Sequence, residues 1–193
     1  MTAVYDEKLN NYRLLAKQVD ELCRRIGEEF GPSIACRRGC DDCCRNLSLF
    51  PVEGASLAAS VAGLPPNEAE RIRRRARASH PDGPCPLLEA GACLLYDARP
   101  LICRTHGMPL LATGENGRSI DFCPRNFQGA TALPGRAVID VDRLNETLAA
   151  VNALFVTEIG GDRDHAGVRI TIAEALLAPE QQTGTHSQAG TSR

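Results

Sequence analysis

The sequence is poor in aromatic residues and has no long apolar run, and each shortage excludes a class of structure. Only eight of its 193 residues are aromatic, five Phe and three Tyr, so the ring side chains that dominate many hydrophobic cores are scarce. No apolar stretch approaches the roughly 18 residues of a membrane span, and the first residues lack the basic start and apolar block of a signal peptide. We therefore expect a cytoplasmic protein with no membrane partner, in which something besides ring packing helps to hold the fold.

Lysine is scarce as well, because nearly every basic residue is Arg and only Lys8 and Lys17 are Lys. The formal net charge is -2, whereas a nucleic-acid-binding domain needs a clear basic surplus. The one basic run, RIRRRARA from Arg71 to Ala78, lies in a balanced chain and is typical of the solvated face of a helix. We therefore predict no nucleic-acid partner.

Length and composition favour one domain. With 193 residues, of which 43% are hydrophobic, the chain can bury a compact core. We predict a single metal-binding domain over residues 1–178, with its core motif at residues 35–124. The polar segment that follows, residues 179–193, lacks core residues and is predicted to be a disordered tail.

Hydrophobic periodicity predicts an α+β fold that is mostly α. Apolar residues recur at helical spacing in two long amphipathic segments. The first runs from about Tyr5 to Phe30 and is stopped by Gly31–Pro32. The second begins at a cap on Asp140 and is closed by Gly160–Gly161.

Shorter elements are predicted between and after these helices. One helix starts at Pro51 and ends near Gly63, a second follows with Asn67 as its cap, and RITIAEALLA forms a last one. The segment MPLLATGENGRSIDF predicts a small β-hairpin. Its turn is expected at Asn116–Gly117, because these residue types accept the positive φ that such turns need.

The sequence has nine cysteines, and four of them lie in the ten residues ACRRGCDDCC, Ala35 to Cys44. A reducing cytoplasm keeps thiols free, so we interpret them as metal ligands rather than as disulfides. Cys23 lies on the apolar face of the first long helix and is predicted to be a small buried core residue. The eight candidate metal ligands are Cys36, Cys40, Cys43, Cys44, Cys85, Cys93, Cys103 and Cys123.

The spacing of these thiols indicates how they share metal. Four thiolates around one ion match tetrahedral zinc or an iron–sulfur cluster, and eight suffice for two such sites. Cys40 and Cys43 have the C-x2-C spacing that lets two sulfurs reach one ion. Cys43 and Cys44 are consecutive, so their side chains point in different directions. They serve either two centres or one bridged polynuclear centre.

Two expectations about geometry follow from this pattern. If the first cluster is helical, its first three cysteines share one face, with Cys44 at the margin. The second half of the chain then supplies the remaining ligands, and the hairpin brings Cys123 back towards Cys103. We therefore expect an irregular, metal-stapled cysteine-cluster core with a small hairpin, flanked by two long amphipathic helices and shorter helices.

The negative charge of such sites needs compensation. Four thiolates around a divalent ion leave a net charge of about -2 per site, which requires nearby cations or hydrogen-bond donors. Five arginines lie within two residues of a candidate cysteine ligand, and they either compensate this charge or are ordinary surface residues of an Arg-rich chain. These are Arg37, Arg38, Arg45, Arg104 and Arg125.

The sequence assigns no catalytic residue, so whether the protein is an enzyme stays open. It contains no Ser-His-Asp, glycine-rich phosphate-loop or HExxH pattern. His106, three residues after Cys103, and His80 are interpreted as hydrogen-bonding surface groups. Asp41 and Asp42 are neighbouring carboxylates that we expect to be solvated.

The stretch CRRGCDDCC and the downstream CPLLEAGACLLYDARPLICR together resemble the YkgJ-type cysteine-cluster family, a bacterial group. That family carries C-x3-C-x2-C-C, then C-P, then C-x-x-Y-x-x-R-P-x-x-C-R and a last cysteine. It is described as zinc- or iron-chelating, and a more distant relative is a flagellin lysine methylase. The resemblance therefore implies a bound metal and leaves the reaction open. The matching positions are Cys36, Cys40, Cys43, Cys44, Cys85–Pro86, Cys93, Tyr96, Arg99–Pro100, Cys103–Arg104 and Cys123.

Three functions fit these observations. The expected one is a metal-binding protein that holds zinc or iron through the eight cysteines. The second is an iron–sulfur redox or methyl-transfer enzyme, favoured by the C-x3-C-x2-C spacing of radical S-adenosylmethionine enzymes and by Cys85–Pro86 and Cys123–Pro124. The chain is too short for the barrel of a full radical enzyme. The third is an interaction module for a protein partner, in which zinc staples the fold.

Overall fold

The computed structural model describes residues 7–37 and 39–178, apart from the side chain of Arg163. The predicted start of the first helix at Tyr5 and the predicted tail at residues 179–193 lie outside this part of the chain. Within it, no helix is both long and apolar enough to cross a membrane.

The fold is α+β and mostly helical, which confirms the prediction. Three short 3-10 turns, Gly31–Ser33, Tyr96–Ala98 and Gly135–Ala137, connect the main elements. The helices are α1 (Asn10–Phe30), α2 (Pro51–Ala62), α3 (Pro66–Arg77), α4 (Leu101–Thr105), α5 (Val141–Glu158), α6 (Arg163–Ala166) and α7 (Ile172–Leu177). The strands are β1 (Ser48–Leu49), β2 (Leu88–Glu89), β3 (Ala92–Cys93), β4 (Leu110–Gly114), β5 (Gly117–Asp121), β6 (Ile139–Asp140) and β7 (Ile170–Thr171).

The two long helices end where the sequence predicts. Helix α1 stops at Gly31–Pro32, since proline cannot continue the hydrogen-bond ladder. Helix α5 begins after Asp140, whose carboxylate accepts a hydrogen bond from the backbone N–H of Arg143 at 3.1 Å. Both helices bury one apolar stripe, as their periodicity requires.

Helices α2 and α3 are also confirmed, but the predicted cap of α3 is wrong. This helix begins at Pro66 and follows Pro65, so Asn67 lies inside its first turn. A proline suits the first helical position because its missing N–H would have no partner there in any case. The sequence PPN therefore starts the helix through proline rather than through an asparagine side chain.

The predicted hairpin exists, with its turn one residue earlier than expected. Strands β4 and β5 pair antiparallel, and Gly114 lies opposite Gly117. The turn is therefore Glu115–Asn116, and Gly117 begins the second strand with φ of 95°. Strand β6 adds to the free edge of β4 in parallel, a long-range pairing that the sequence did not predict.

The hydrophobic residues form two clusters. The first joins α1, α2 and α5 with Leu101 of α4. The second joins β1, α2, α3 and α7 with Leu87 and Leu95, which flank the β2–β3 hairpin. Helix α2 contributes to both clusters and so connects the long helices to the cysteine-bearing segments.

Two buried polar side chains fasten these elements. Glu53, only 3% exposed, accepts hydrogen bonds from the backbone N–H groups of Phe50 and Leu101, each at 3.0 Å. Burial raises the pKa of this carboxyl, and the two N–H donors oppose the rise. Asn152 of α5, fully buried, accepts from the N–H of Val52 at 3.0 Å and donates to the carbonyl of Ala166 at 2.8 Å.

We predict that Asn152→Ala lowers the free energy of unfolding by about 2 kcal/mol, because it leaves a buried N–H and a buried carbonyl without partners. Urea denaturation measures this change. The matched control is Asn145→Ala, an exposed position on the same helix, which should stay within about 0.5 kcal/mol of the unmodified protein. Equal effects of the two substitutions would contradict the role given to Asn152.

Candidate metal centre

All nine cysteines are free thiols. The segment that carries the first four is not helical in its described part. It consists instead of two tight turns, in which Cys40 N donates to Arg37 O and Cys44 N donates to Asp41 O, each at 2.9 Å. The alternative of one shared helical face is therefore wrong. Gly39 lies inside the first turn and takes φ of 92°, a value that favours glycine.

Cys36 lies against the loop that follows α4. A Cβ placed on Gly107 would stand 2.7 Å from Cys36 Sγ and 3.5 Å from Cys123 Cβ. The N–H of Cys123 donates to the carbonyl of Gly107 at 3.4 Å. Glycine at this position therefore leaves room for a sulfur, and the end of the β4–β5 hairpin returns Cys123 to the neighbourhood of Cys36.

The thiol of Cys43 interacts electrostatically with the cysteines beside Gly107. Burial raises the pKa of its thiol, and the negative charges that add to the rise come from Cys36, Cys40 and Cys123. Cys36, Cys40 and Cys123 therefore each lie within electrostatic range of Cys43. We name Cys36, Cys40, Cys43 and Cys123 the outer group.

The other four cysteines gather around the β2–β3 hairpin. Cys85 N donates to Cys44 O at 3.1 Å, which places the chain before the hairpin beside the end of the first cluster. Strand β3 ends at Cys93, opposite Leu88, whose own N–H donates to Cys85 O at 3.0 Å. Ala90 and Gly91 form the turn with positive φ of 49° and 72°.

The thiols around this hairpin also affect one another. Burial raises the pKa of Cys103 to about 12, and the charges of Cys85, Cys93 and Cys44 add to the rise. The pKa of Cys44 is raised to about 11, by burial first and then by Cys43, its chain neighbour, and by Cys85 and Cys93. We name Cys44, Cys85, Cys93 and Cys103 the inner group.

The two groups are neighbourhoods rather than closed ligand shells. In the described residues, no three Cys, His, Asp or Glu side chains converge closely enough to hold a metal ion as they stand. The donor type nevertheless fits a soft metal, since thiolates in sets of four are the ligands of structural zinc and of iron–sulfur clusters.

One family comparison bears directly on this arrangement. The family model CxxCxxCC, described as a "Putative zinc- or iron-chelating domain", matches residues 35–124. We call the matched residues 35–124 the CxxCxxCC domain, after this family model. The match confirms the resemblance inferred from the cysteine pattern, and it spans all eight cysteines of the outer and inner groups. A search of curated proteins finds no match to the chain, and a search of solved structures finds none either.

The arginines of the CxxCxxCC domain have different roles. Arg125 Nη1 lies 3.7 Å from Cys40 Sγ, and the same guanidinium forms an ion pair with Asp42. Arg104 instead binds Asp20 of α1 and the carbonyls of Asp97 and Arg99. Arg37 and Arg45 are exposed. Arg38 lies outside the described residues.

Two arginines that were predicted to be solvated hold the β2–β3 hairpin instead. Arg75 donates to the carbonyl of Pro86 at 2.8 Å and to that of Leu88. Arg71 forms an ion pair with Glu89 of the same hairpin. The prediction of a solvated face for RIRRRARA was therefore wrong at these positions, because the hairpin packs over α3.

Asn126 is a site residue that the sequence analysis missed. It is only 1% exposed, and its Oδ1 accepts from Ala35 N at 2.8 Å. Its Nδ2 donates to Gly107 O at 2.6 Å and to Cys36 Sγ at 3.4 Å. One side chain thus joins the three segments that form the outer group. A short-range pattern gives no sign of this, because the partners are about 20 to 90 residues away.

The remaining candidates stand apart from the two groups. Cys23 is half-buried against the first hydrophobic cluster, and its Sγ donates to the carbonyl of Arg104 at 3.5 Å, close to the predicted core role. His106 is half-buried, and burial lowers its pKa. His80 is an exposed loop residue that accepts from Asp82 N at 3.3 Å.

We predict that Asn126→Asp destabilises the CxxCxxCC domain by about 2 kcal/mol. The carboxylate keeps the acceptor for Ala35 N but loses the donor to Gly107 O and sets a negative charge against that carbonyl. Urea denaturation of the metal-free protein measures the loss. The control Asn116→Asp, in the exposed hairpin turn, makes the same chemical change and should leave stability almost unaltered. A similar cost at both positions would argue against the role of Asn126.

Proposed function

We propose that the protein binds two metal ions, zinc or iron, one in the outer group and one in the inner group. The observation that carries this proposal is that Cys36 and Cys123 both lie next to Gly107, whereas Cys44 lies beside Cys85 at the start of the β2–β3 hairpin. We therefore assign the adjacent residues Cys43 and Cys44 to different sets of four. Cys36, Cys40, Cys43 and Cys123 would hold one ion, and Cys44, Cys85, Cys93 and Cys103 the other. Four thiolates per ion is the donor number of a closed tetrahedral site.

The metal would supply structural cross-links. The outer group connects residues 36–43 to Cys123, and the inner group connects Cys44 to three later cysteines. A closed thiolate site contributes its binding free energy to folding, which suits a chain with few aromatic residues. Thiolates must stay reduced to bind metal, so we place the protein in the reducing cytoplasm.

Electrostatic compensation supports the outer site in particular. Four thiolates and one divalent ion carry a net charge of about -2. The guanidinium of Arg125 lies beside Cys40 Sγ, and the amide N–H of Asn126 donates to Cys36 Sγ, so both offer a hydrogen bond to a ligand sulfur. These two side chains would therefore orient ligands and offset their charge.

Protein purified without oxygen should carry two metal ions per chain, and single substitutions should remove different ones. Cys43→Ser is expected to lose the outer ion and Cys44→Ser the inner ion, because the two sulfurs belong to different sets. Elemental analysis together with optical spectra of the same samples measures both the amount and the kind of metal. The control is Cys23→Ser, which should keep two ions.

Two outcomes would contradict this assignment. Complete loss of metal from either single substitution would indicate one coupled cluster. A brown sample with absorbance near roughly 400 nm that bleaches on reduction would identify an iron–sulfur centre and favour the redox or methyl-transfer alternative over zinc.

Gly107 provides a second test, with Gly117 as the matched control. Both glycines have positive φ, 85° and 95°, so an alanine at either pays about 1 kcal/mol of backbone strain. Only at Gly107 does the new Cβ meet Cys36 Sγ, whereas nothing lies within 4 Å at Gly117. We expect Gly107→Ala to lose the outer ion and Gly117→Ala to retain both, as measured by metal content per chain. Equal metal content in the two variants would contradict the position given to Cys36.

A further inference from the structure

The two groups differ in their access to solvent. Cys36 and Cys43 of the outer group are exposed, and Cys40 and Cys123 are half-buried. Charged side chains in these segments, Arg37, Asp42 and Arg125, are exposed too, although Asn126 beside Cys36 is buried. A small molecule can therefore approach at least two of the outer sulfurs without any rearrangement of the fold.

All four cysteines of the inner group are half-buried. Cys85 and Cys93 pack against the second hydrophobic cluster, next to the buried residues Leu87 and Leu95. Cys103 lies in α4 just after buried Leu101. Arg75 of α3 holds the hairpin in place from its own side.

The fastening of the segments follows the same division. The hairpin of the inner group is held by strand pairing, by Arg75 and by the Cys85 N–Cys44 O hydrogen bond. The residues around Cys40 and Cys43 are two turns, in the described part of that segment, whereas Cys36 is held to Gly107 through Asn126. Opening the outer group at Cys40 and Cys43 thus disturbs a surface loop, whereas opening the inner group disturbs the second hydrophobic cluster.

Access and rigidity control how fast a metal site exchanges its ion. A competing chelator must place a donor atom on the ion before the thiolates leave, and the apolar shell around a site limits that approach. Each thiolate that leaves takes up a proton from solvent, so the step is a ligand exchange without any change of oxidation state.

We propose that the outer group is an exchange site, which gives its ion to and accepts it from soluble chelators or thiols, while the inner group retains its ion as part of the fold. This inference rests on the proposed function, because it assumes two four-thiolate sites. It assigns the two ions different roles: one is cargo that can be handed on, and the other is structural.

The test uses the full chain loaded with two zinc ions and an excess of EDTA, with free zinc, circular dichroism and cysteine alkylation followed in time. We expect two kinetic phases of zinc loss, one ion each, with the first at least about tenfold faster than the second. Helix content should persist through the first phase and fall in the second.

Alkylation by iodoacetamide identifies the site emptied in each phase. After the first phase, mass spectrometry should find label on Cys36, Cys40, Cys43 and Cys123, with the inner group still protected. Because this mapping uses unmodified protein, it does not depend on whether a cysteine variant folds. Cys123→Ser should in addition abolish the fast phase, whereas Cys23→Ser should leave both phases unchanged.

The outcomes separate the two proposals. If two ions leave at one rate, or if the inner group is labelled first, the exchange site is wrong while the two-site assignment stands. If fewer than two ions are bound, or if the first label mixes outer and inner cysteines, the proposed function itself is wrong.

Discussion

The arrangement depends on one constraint, that consecutive side chains cannot point to the same place. Cys43 and Cys44 are adjacent, and apart from the effect of Cys43 on Cys44 they have different electrostatic partners. The partners of Cys43 are Cys36, Cys40 and Cys123, whereas those of Cys44 include Cys85 and Cys93. In the proposed assignment, this one peptide unit therefore separates the outer group from the inner group and joins segments that lie far apart in the sequence.

The helical frame holds the segments that supply these thiols. Glu53 of α2 receives the N–H of Leu101 and so fixes the start of α4, which carries Cys103. Arg104, next in the chain, is almost fully buried and binds Asp20 of α1. Helices α1 and α2 thus fix the segment that carries Cys103. This explains how a fold with small sheets and few aromatic residues holds cysteines in defined places.

Much of the fold is readable from local sequence. The cap at Asp140 and the stop at Gly31–Pro32 depend on short-range chemistry, and both appear where expected. The β2–β3 hairpin is different, because its turn uses Ala90 with φ of 49°, a residue that gives no turn signal. The expectation that the hairpin brings Cys123 towards Cys103 also could not be settled from local pattern. In the structure Cys123 lies at Gly107 beside Cys36, and the thiols that raise the pKa of Cys103 are those of the inner group.

Membership of the two groups is the central claim, and NMR of the protein loaded with a magnetic cadmium isotope tests it most directly. Scalar coupling between cadmium and the β-protons of its cysteine ligands identifies each ligand by residue. We predict two cadmium signals, one coupled to Cys36, Cys40, Cys43 and Cys123 and the other to Cys44, Cys85, Cys93 and Cys103. A single signal, or a signal coupled to both Cys43 and Cys44, would contradict the division.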